Sequence, residues 1–214
     1  MNRAVTPKLP FLLGAIIAIG PVSTDMYLPA FPQLAHDMQD QAAPQYSLAA
    51  YFLGLAVGQM TQGALSDRLG RRGPLLAGLV LFILASAGCV IAWNTPSLVV
   101  FRFLTALGAS AGLVIPRAMV RDLADGPAAA KMLSKLMLAM GLAPICAPMI
   151  GAVCVMFASW RFIFGLCTAY GVVALLCAWW LIPDTLPPAR RSRLGVGAVL
   201  VLSLIHISEP TRPY

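Results

Sequence analysis

Ionisable side chains are what this chain most lacks. Charged residues make up 11% of its 214 positions, with only eight Asp and Glu, against roughly a quarter in soluble domains. So little charge is incompatible with a soluble globular fold. Clusters of His, Cys and carboxylates are missing too. His36 is a lone solvated residue, and Cys89, Cys146, Cys154, Cys167 and Cys177 form no CxxC or Cys/His pair. That leaves no metal site, no cofactor site and no nucleophile with its base, and argues against an enzyme. The five thiols fall inside apolar runs and read as small buried hydrophobes. No basic stripe interleaves with aromatics, so the net charge of +7 is not a nucleic-acid surface. The start of the chain, basic at Arg3 and Lys8 and then apolar, has no small-x-small cleavage site ahead of a soluble domain. It does not read as a cleaved signal peptide.

What is present is hydrophobic, at 59% of residues, and it is arranged in six runs: Phe11 to Ala30, Tyr46 to Leu65, Pro74 to Trp93, Leu98 to Pro116, Met132 to Ala158 and Phe162 to Ile182. Tyr46 to Leu65 and Pro74 to Trp93 carry no charge, and each is about the 20 residues that a helix needs to cross hydrocarbon. Pro and Gly, 17 and 18 in number, lie within these runs, as transmembrane helices tolerate. The expected fold is an all-α integral membrane bundle of six transmembrane helices. Twelve of the fifteen Lys and Arg residues fall on one side: Arg3, Lys8, Arg68, Arg71, Arg72, Arg117, Arg121, Lys131, Lys135, Arg190, Arg191 and Arg193. The positive-inside rule makes that side, and the N-terminus, cytoplasmic. Phe31 to Gln45 and Asn94 to Ser97 are then outer loops. Trp93 and Trp160 fall at the outer interface, and Trp179 and Trp180 at the inner one.

Three stretches carry chemistry. The turn Gly63-Ala64-Leu65-Ser66-Asp67-Arg68-Leu69-Gly70-Arg71-Arg72-Gly73-Pro74 packs four charges between two uncharged spans. Within the spans, an ionised group costs about 2.5–3.5 kcal/mol on insertion scales, and two residues bear that cost: Asp25 on the first span and Arg102 on the fourth. Both lie about 7 Å below the outer surface at ~1.5 Å per residue, so an ion pair, direct or through water, is geometrically possible. A fixed pair and a proton-binding Asp25 with Arg102 as its modulator are the two readings. On the second span Tyr51, Leu55, Gln59 and Gln62 follow helical spacing and line a cavity or bond a neighbouring helix; Tyr27 joins the candidate lining. Gly54-x-x-x-Gly58 and Gly108-x-x-x-Gly112 are close-packing faces. On the fifth span Gly141, Pro144, Pro148 and Gly151 share one face, as a hinge, a seam or an ordinary bend.

The Gly63 to Arg72 stretch closely resembles the signature of the major facilitator superfamily, G-x-L-x-D-R-x-G-R-R/K. Leu98-x-x-x-Arg102 with Gly108 and Ala109 is similar to its fourth-helix motif, with Thr105 and Ala106 in place of the usual Gln and Gly. Ala147-Pro148-Met149-Ile150-Gly151-Ala152 is similar to the fifth-helix motif of proton-driven antiporters. Asp25 to Ala30, Arg117 to Asp122 and Pro183-Asp184-Thr185-Leu186 look most like the bicyclomycin and chloramphenicol resistance (Bcr/CflA) branch. The resemblance implies the N-terminal half, residues 1–193, of a twelve-helix inner-membrane pump whose halves are each an inverted three-plus-three repeat. It also implies no cofactor, a proton gradient as energy source, and export of lipophilic or cationic drugs, hence antibiotic resistance. By resemblance, Asp25 and Arg102 couple proton to drug, and Gly63, Asp67, Arg68, Gly70, Arg71 and Arg72 form a cytoplasmic gate with Asp67 and Arg71 latching the halves. Pro144, Pro148 and Gly151 form the fifth-helix hinge. The partners are the bilayer, a small-molecule substrate and the missing C-terminal half. A uniporter or symporter for a metabolite, and a six-helix scaffold, are the alternatives. Residues 194–214, from a short apolar run into Ser-Glu-Pro-Thr-Arg-Pro-Tyr, read as a truncated loop and a non-native tail.

Overall fold

The computed structural model describes residues 9–191, and among these every regular element is helical; the tail beyond residue 193 lies outside them. The first span is built in pieces: α1 (Leu9–Ile17), α2 (Ile19–Asp25), a 3-10 turn (Leu28–Ala30) and α3 (Phe31–Asp37). Then follow α4 (Ala43–Leu69), α5 (Arg72–Val90), α6 (Thr95–Leu123), α7 (Gly126–Phe157) and α8 (Trp160–Leu181). Proline explains the interruptions, because it has no N–H to give the carbonyl four residues back. Pro21, Pro29 and Pro32 deprive Ile17, Asp25 and Leu28 of their helical partners. At the second break the chain tightens instead, with Tyr27 N donating to Thr24 O at 3.3 Å and Ala30 N to Tyr27 O at 3.0 Å. The expectation of one uniform helix ending at Ala30, followed by an outer loop from Phe31, is therefore corrected.

Five of these stretches, the first span and α5 to α8, are long and apolar enough to cross a membrane. The sixth, α4, has the length at 27 residues, about 40 Å, but Gln45, Ser47, Gln59, Gln62 and Ser66 make it less apolar. It runs alongside α6 through backbone approach. A Cβ on Gly54 would overlap Phe103 O, and one on Gly58 would overlap the Ser110 side chain. The second small-residue face does the same for α5: a Cβ on Gly108 would lie 2.5 Å from Phe82 N and 2.7 Å from Gly78 O. So α6 is wedged between α4 and α5, with the first span on a third side and α8 behind α5. Its start is fixed by Asn94, whose Oδ1 accepts from Ser97 N at 2.9 Å while Ser97 Oγ faces Asn94 N at 3.4 Å, a reciprocal cap.

At the α3 end, Trp160 is fully buried, not an interfacial belt residue. Its Nε1 donates to Asp37 Oδ2 and its backbone N to Gln33 Oε1, both at 2.9 Å, which pins the start of α8 to the first span. Trp93, Trp179 and Trp180 are exposed, as a belt requires. Of the cysteines, Cys89, Cys154 and Cys167 are buried, but Cys146 is exposed on α7 and Cys177 is intermediate. A helix gives each residue its own azimuth, and apolar surroundings in the sequence do not distinguish a core face from a lipid face.

The α4–α6 contact sets a clear expectation. Gly54→Ala will destabilise the detergent-solubilised chain by about 1–3 kcal/mol through overpacking. Gly141→Ala, where a Cβ meets nothing within 4 Å, will leave the thermal midpoint unchanged or raise it. Equal midpoints for the two variants would contradict this packing.

Candidate functional site

Arg102 is completely buried. An arginine keeps its charge in proteins, and a bare guanidinium in an apolar interior is costly. Aromatic rings offset that cost in part, while Nε and Nη2 are buried without a hydrogen-bond partner among the described residues. The guanidinium carbon lies 4.3 Å from the centre of the Tyr51 ring, 4.8 Å from Tyr27 and 5.5 Å from Phe164. Such contacts contribute about 2 kcal/mol or more each when desolvated. Nη1 also donates to Ser23 O and Ser23 Oγ at 3.3 and 3.4 Å. The cage is itself anchored: Tyr27 shares a 2.7 Å hydrogen bond with Ser47 Oγ, and Tyr51 donates to Gly20 O at 3.1 Å. Four helical segments thus converge on one cation.

Asp25 is not part of this cage. No ion pair of 4 Å or less joins it to Arg102, and among the described residues it has no hydrogen-bond partner. The expected pair is corrected for a simple reason. Depth matched, but Ser23 faces Arg102, and two residues further on a helix the side chain has turned by about 200°. Asp25 is half-buried and sits at the C-terminal end of α2, next to the break at Met26–Tyr27. From the other side α7 reaches this break: a Cβ on Gly151 would overlap Met26 O. Of the fifth-helix motif, then, Gly151 touches the first span, while Pro144 is exposed, Pro148 is intermediate, and nothing lies within 4 Å of a Cβ on Gly141. The helix continues through both prolines.

The candidate cavity lining separates. Tyr27 and Tyr51 face Arg102 and are fully buried, so they line no open cavity here; Gln62 is buried and its Oε1 lacks a partner, while Gln59 is exposed.

At the far end of the bundle the turn between α4 and α5 is a network centred on Arg71. Its Nε donates to Asp122 Oδ2 at 2.7 Å, its Nη1 to Ser66 Oγ at 2.9 Å and to Asp67, and its backbone N to Asp184 Oδ1 at 2.9 Å. Burial alone pulls the Arg71 guanidinium down; hydrogen bonds to Asp122 and Asp67, and their charges, outweigh it and hold the group above the ordinary arginine range. Thr185 Oγ1 donates to Asp122 Oδ2 at 3.1 Å and Arg191 to Asp184 at 2.8 Å. Gly70, with φ of +95°, turns the chain here, and a Cβ would overlap Asp184, so two constraints favour glycine. Arg72 donates to Trp179 O at 2.6 Å and lies 5.8 Å from the Trp179 ring centre, tying α5 to the end of α8. Arg68 and Gly63 make no comparable contact: Arg68 is exposed and Gly63 has one neighbour, at 3.9 Å.

Asp122 and Asp184 entered the sequence reading only as parts of a resemblance, without a role. Phe164 and Ser23 carried no signal, being ordinary residues within spans. Two tests follow. Asp122→Ala, which strips a 16%-exposed partner from the 8%-exposed Arg71 side chain, will cost about 3–5 kcal/mol. Asp67→Ala, at 53% exposed, will cost about 0–1 kcal/mol; equal losses in thermal unfolding would contradict the network. In the cage, Tyr51→Phe keeps the ring and will cost about 0.5–1.5 kcal/mol, whereas Tyr51→Leu will cost about 2 kcal/mol more. Phe and Leu variants that unfold together would remove the ring from the account.

With this geometry in hand, the chain can be set beside known proteins. The family profile described as Major Facilitator Superfamily matches residues 12–210. An uncharacterized MFS-type transporter, YdgK of Bacillus subtilis, is 41% identical over 192 residues, covering 88% of this chain and 48% of the relative. The multidrug resistance protein MdtL of Escherichia coli is 30% identical over 176 residues, covering 82% of the chain and 45% of the relative. The chain thus spans about half the length of these curated relatives. Among solved structures, the proton:xylose symporter XylE aligns with a TM-score of 0.77 at 14% identity, over 86% of this chain and 46% of that one. The human organic anion transporter MFSD10 aligns at 0.74 and 20% identity, over 95% and 56%. These structures agree in fold. Helices of membrane-spanning length and the family match lead to one statement: the chain is a multi-pass membrane protein, and it belongs to the major facilitator superfamily, whose members are transporters and not enzymes.

Proposed function

We propose that this chain is the N-terminal half of a proton-coupled multidrug exporter of the Bcr/CflA type, with Asp25 as its proton site. The observation that carries the reading is the isolation of Asp25. It is half-buried in the first span and has no ion-pair or hydrogen-bond partner among the described residues, whereas Asp37 and Asp122, at the ends of their spans, are both paired. An ionised acid there costs about 2.5–3.5 kcal/mol, and either a proton or a cationic ligand relieves it. Competition between the two for one carboxylate is antiport in its simplest form.

Arg102, caged against Ser23 two residues before Asp25, is a fixed positive charge that raises the cost of a second cation at the same depth. Gly151 against the break beside Asp25 gives motion of α7 a route to that carboxylate. The similarity to a multidrug resistance protein supports export of lipophilic compounds. The concentration of Lys and Arg toward the Arg71 end supports a bacterial inner-membrane topology with that end and the N-terminus cytoplasmic. On this reading the Asp67–Arg71 pair meets the second half of the transporter when the cytoplasmic side closes.

The test uses the full-length natural protein in energised everted vesicles. Asp25→Asn will abolish proton-driven uptake of a lipophilic cation and weaken its binding in detergent, and Asp25→Glu will retain part of both. Proton-driven transport by Asp25→Asn at the wild-type rate would remove Asp25 from the mechanism.

A further inference from the structure

One cation on α6 belongs neither to the Arg102 cage nor to the Arg71 network. Arg117 lies one turn beyond Leu113, whose side chain packs on Gly20 of the first span. It turns inward along α7. On α6 it is six residues, about 9 Å, from the helix end at Leu123, but its Nη2 donates at 3.1 Å to Sδ of Met140, which is fourteen residues, about 21 Å, into α7. Ala139, next to that methionine, packs on Gly14 of α1. An arginine near the end of a span ordinarily extends toward water; this one reaches the other way.

Its hydrogen bonds are almost all unmade. A thioether is a weak acceptor. Among the described residues Nε is buried without a partner, Nη1 has none and is not sealed off, and no carboxylate lies within 4 Å. Asp122, five residues on, is taken by Arg71 and Thr185. The guanidinium stays charged, and its open edge presents two N–H groups side by side. A carboxylate matches that fork with two oxygens, and Met140, flexible and weakly bonded, yields to it. One negative charge cancels one guanidinium, whereas a doubly charged phosphate would leave a charge uncompensated within a membrane span.

We propose that Arg117 binds the carboxylate of a transported molecule, so that the substrates include amphiphiles with a free carboxyl group as well as lipophilic cations. The proposal deepens the reading of the chain as part of an exporter and rests on it for there being a transported molecule. It does not depend on Asp25 as the proton site.

The test uses the full-length natural protein in detergent and two dyes that differ at one group: rhodamine B, which carries a free carboxylate, and its ethyl ester. Binding is read by fluorescence anisotropy. The acid is expected to bind about tenfold tighter than the ester, equivalent to about 1.4 kcal/mol, and Arg117→Gln to remove the difference while leaving the affinity for the ester unchanged. Met140→Leu, which takes away the competing thioether, will keep or increase the preference for the acid. Should Arg117→Gln fail to fold, Arg117→Lys is read instead: a point charge in place of the fork will cut the preference to about threefold. Equal binding of acid and ester, a preference that survives Arg117→Gln, or one undiminished by Arg117→Lys would each overturn the proposal. So would Arg117→Gln weakening both dyes alike, which is a structural role, or lowering thermal stability with the acid preference intact, which would pair Arg117 with a carboxylate of the protein itself. Binding of neither dye would count against the export of lipophilic compounds, and this proposal would fall with it; binding that ignores the carboxylate removes the Arg117 site alone.

Discussion

A guanidinium cannot be left bare in an apolar interior, and the membrane half of this structure is organised by how Arg102 avoids it. Among the described residues no carboxylate lies within ion-pair distance of it. The charge is spread over the faces of Tyr27, Tyr51 and Phe164, with Ser23 supplying the nearby oxygens. Because those groups come from the first span, α4 and α8, the helices cannot drift apart without exposing the cation. Fixing Arg102 in this way leaves Asp25 without an ion-pair partner among the described residues, and on the proposed reading that carboxylate changes its occupant.

The opposite end uses the other solution to the same problem. Arg71 is buried, but it is near water, and carboxylates are available: Asp67, Asp122 and Asp184 reach it from the ends of three elements. The two ends therefore differ in kind. Rings around Arg102 can slide without breaking a directional bond, whereas the Arg71 network must break and reform to rearrange. That difference suits a protein in which one end holds the bundle together and the other reports its state. It also assigns Asp67 two possible partners: Arg71 within the chain, and, on the proposed reading, the second half of the transporter.

Much of the fold was legible because hydrocarbon imposes strict patterns. Uncharged runs located the spans, and the clustering of arginines located the tight turn at Gly70. The Gly54 and Gly58 pair correctly marked a face where backbones meet. The sequence named Arg102, Tyr27 and Tyr51 but not how they meet. Sequence depth placed Asp25 and Arg102 on one level and could not tell that Ser23, two residues earlier, held the face turned toward Arg102. Phe164 was invisible as a cage member because a phenylalanine in an apolar span has no distinguishing neighbour. Trp160 misled for the converse reason: its position near a span end suggested an interface, while its indole N–H was committed to Asp37. Azimuth about each helix axis is decided by packing, and packing is what a linear reading lacks.

The central claim is that Asp25 exchanges a proton for a cationic ligand without Arg102 as its ion-pair partner. Difference infrared spectroscopy of the full-length protein tests it most directly. The account predicts a protonated-carboxyl band that disappears when a lipophilic cation binds, is absent from Asp25→Asn, and survives in Arg102→Lys. A band that persists in Asp25→Asn, or one that ligand binding leaves untouched, would contradict it.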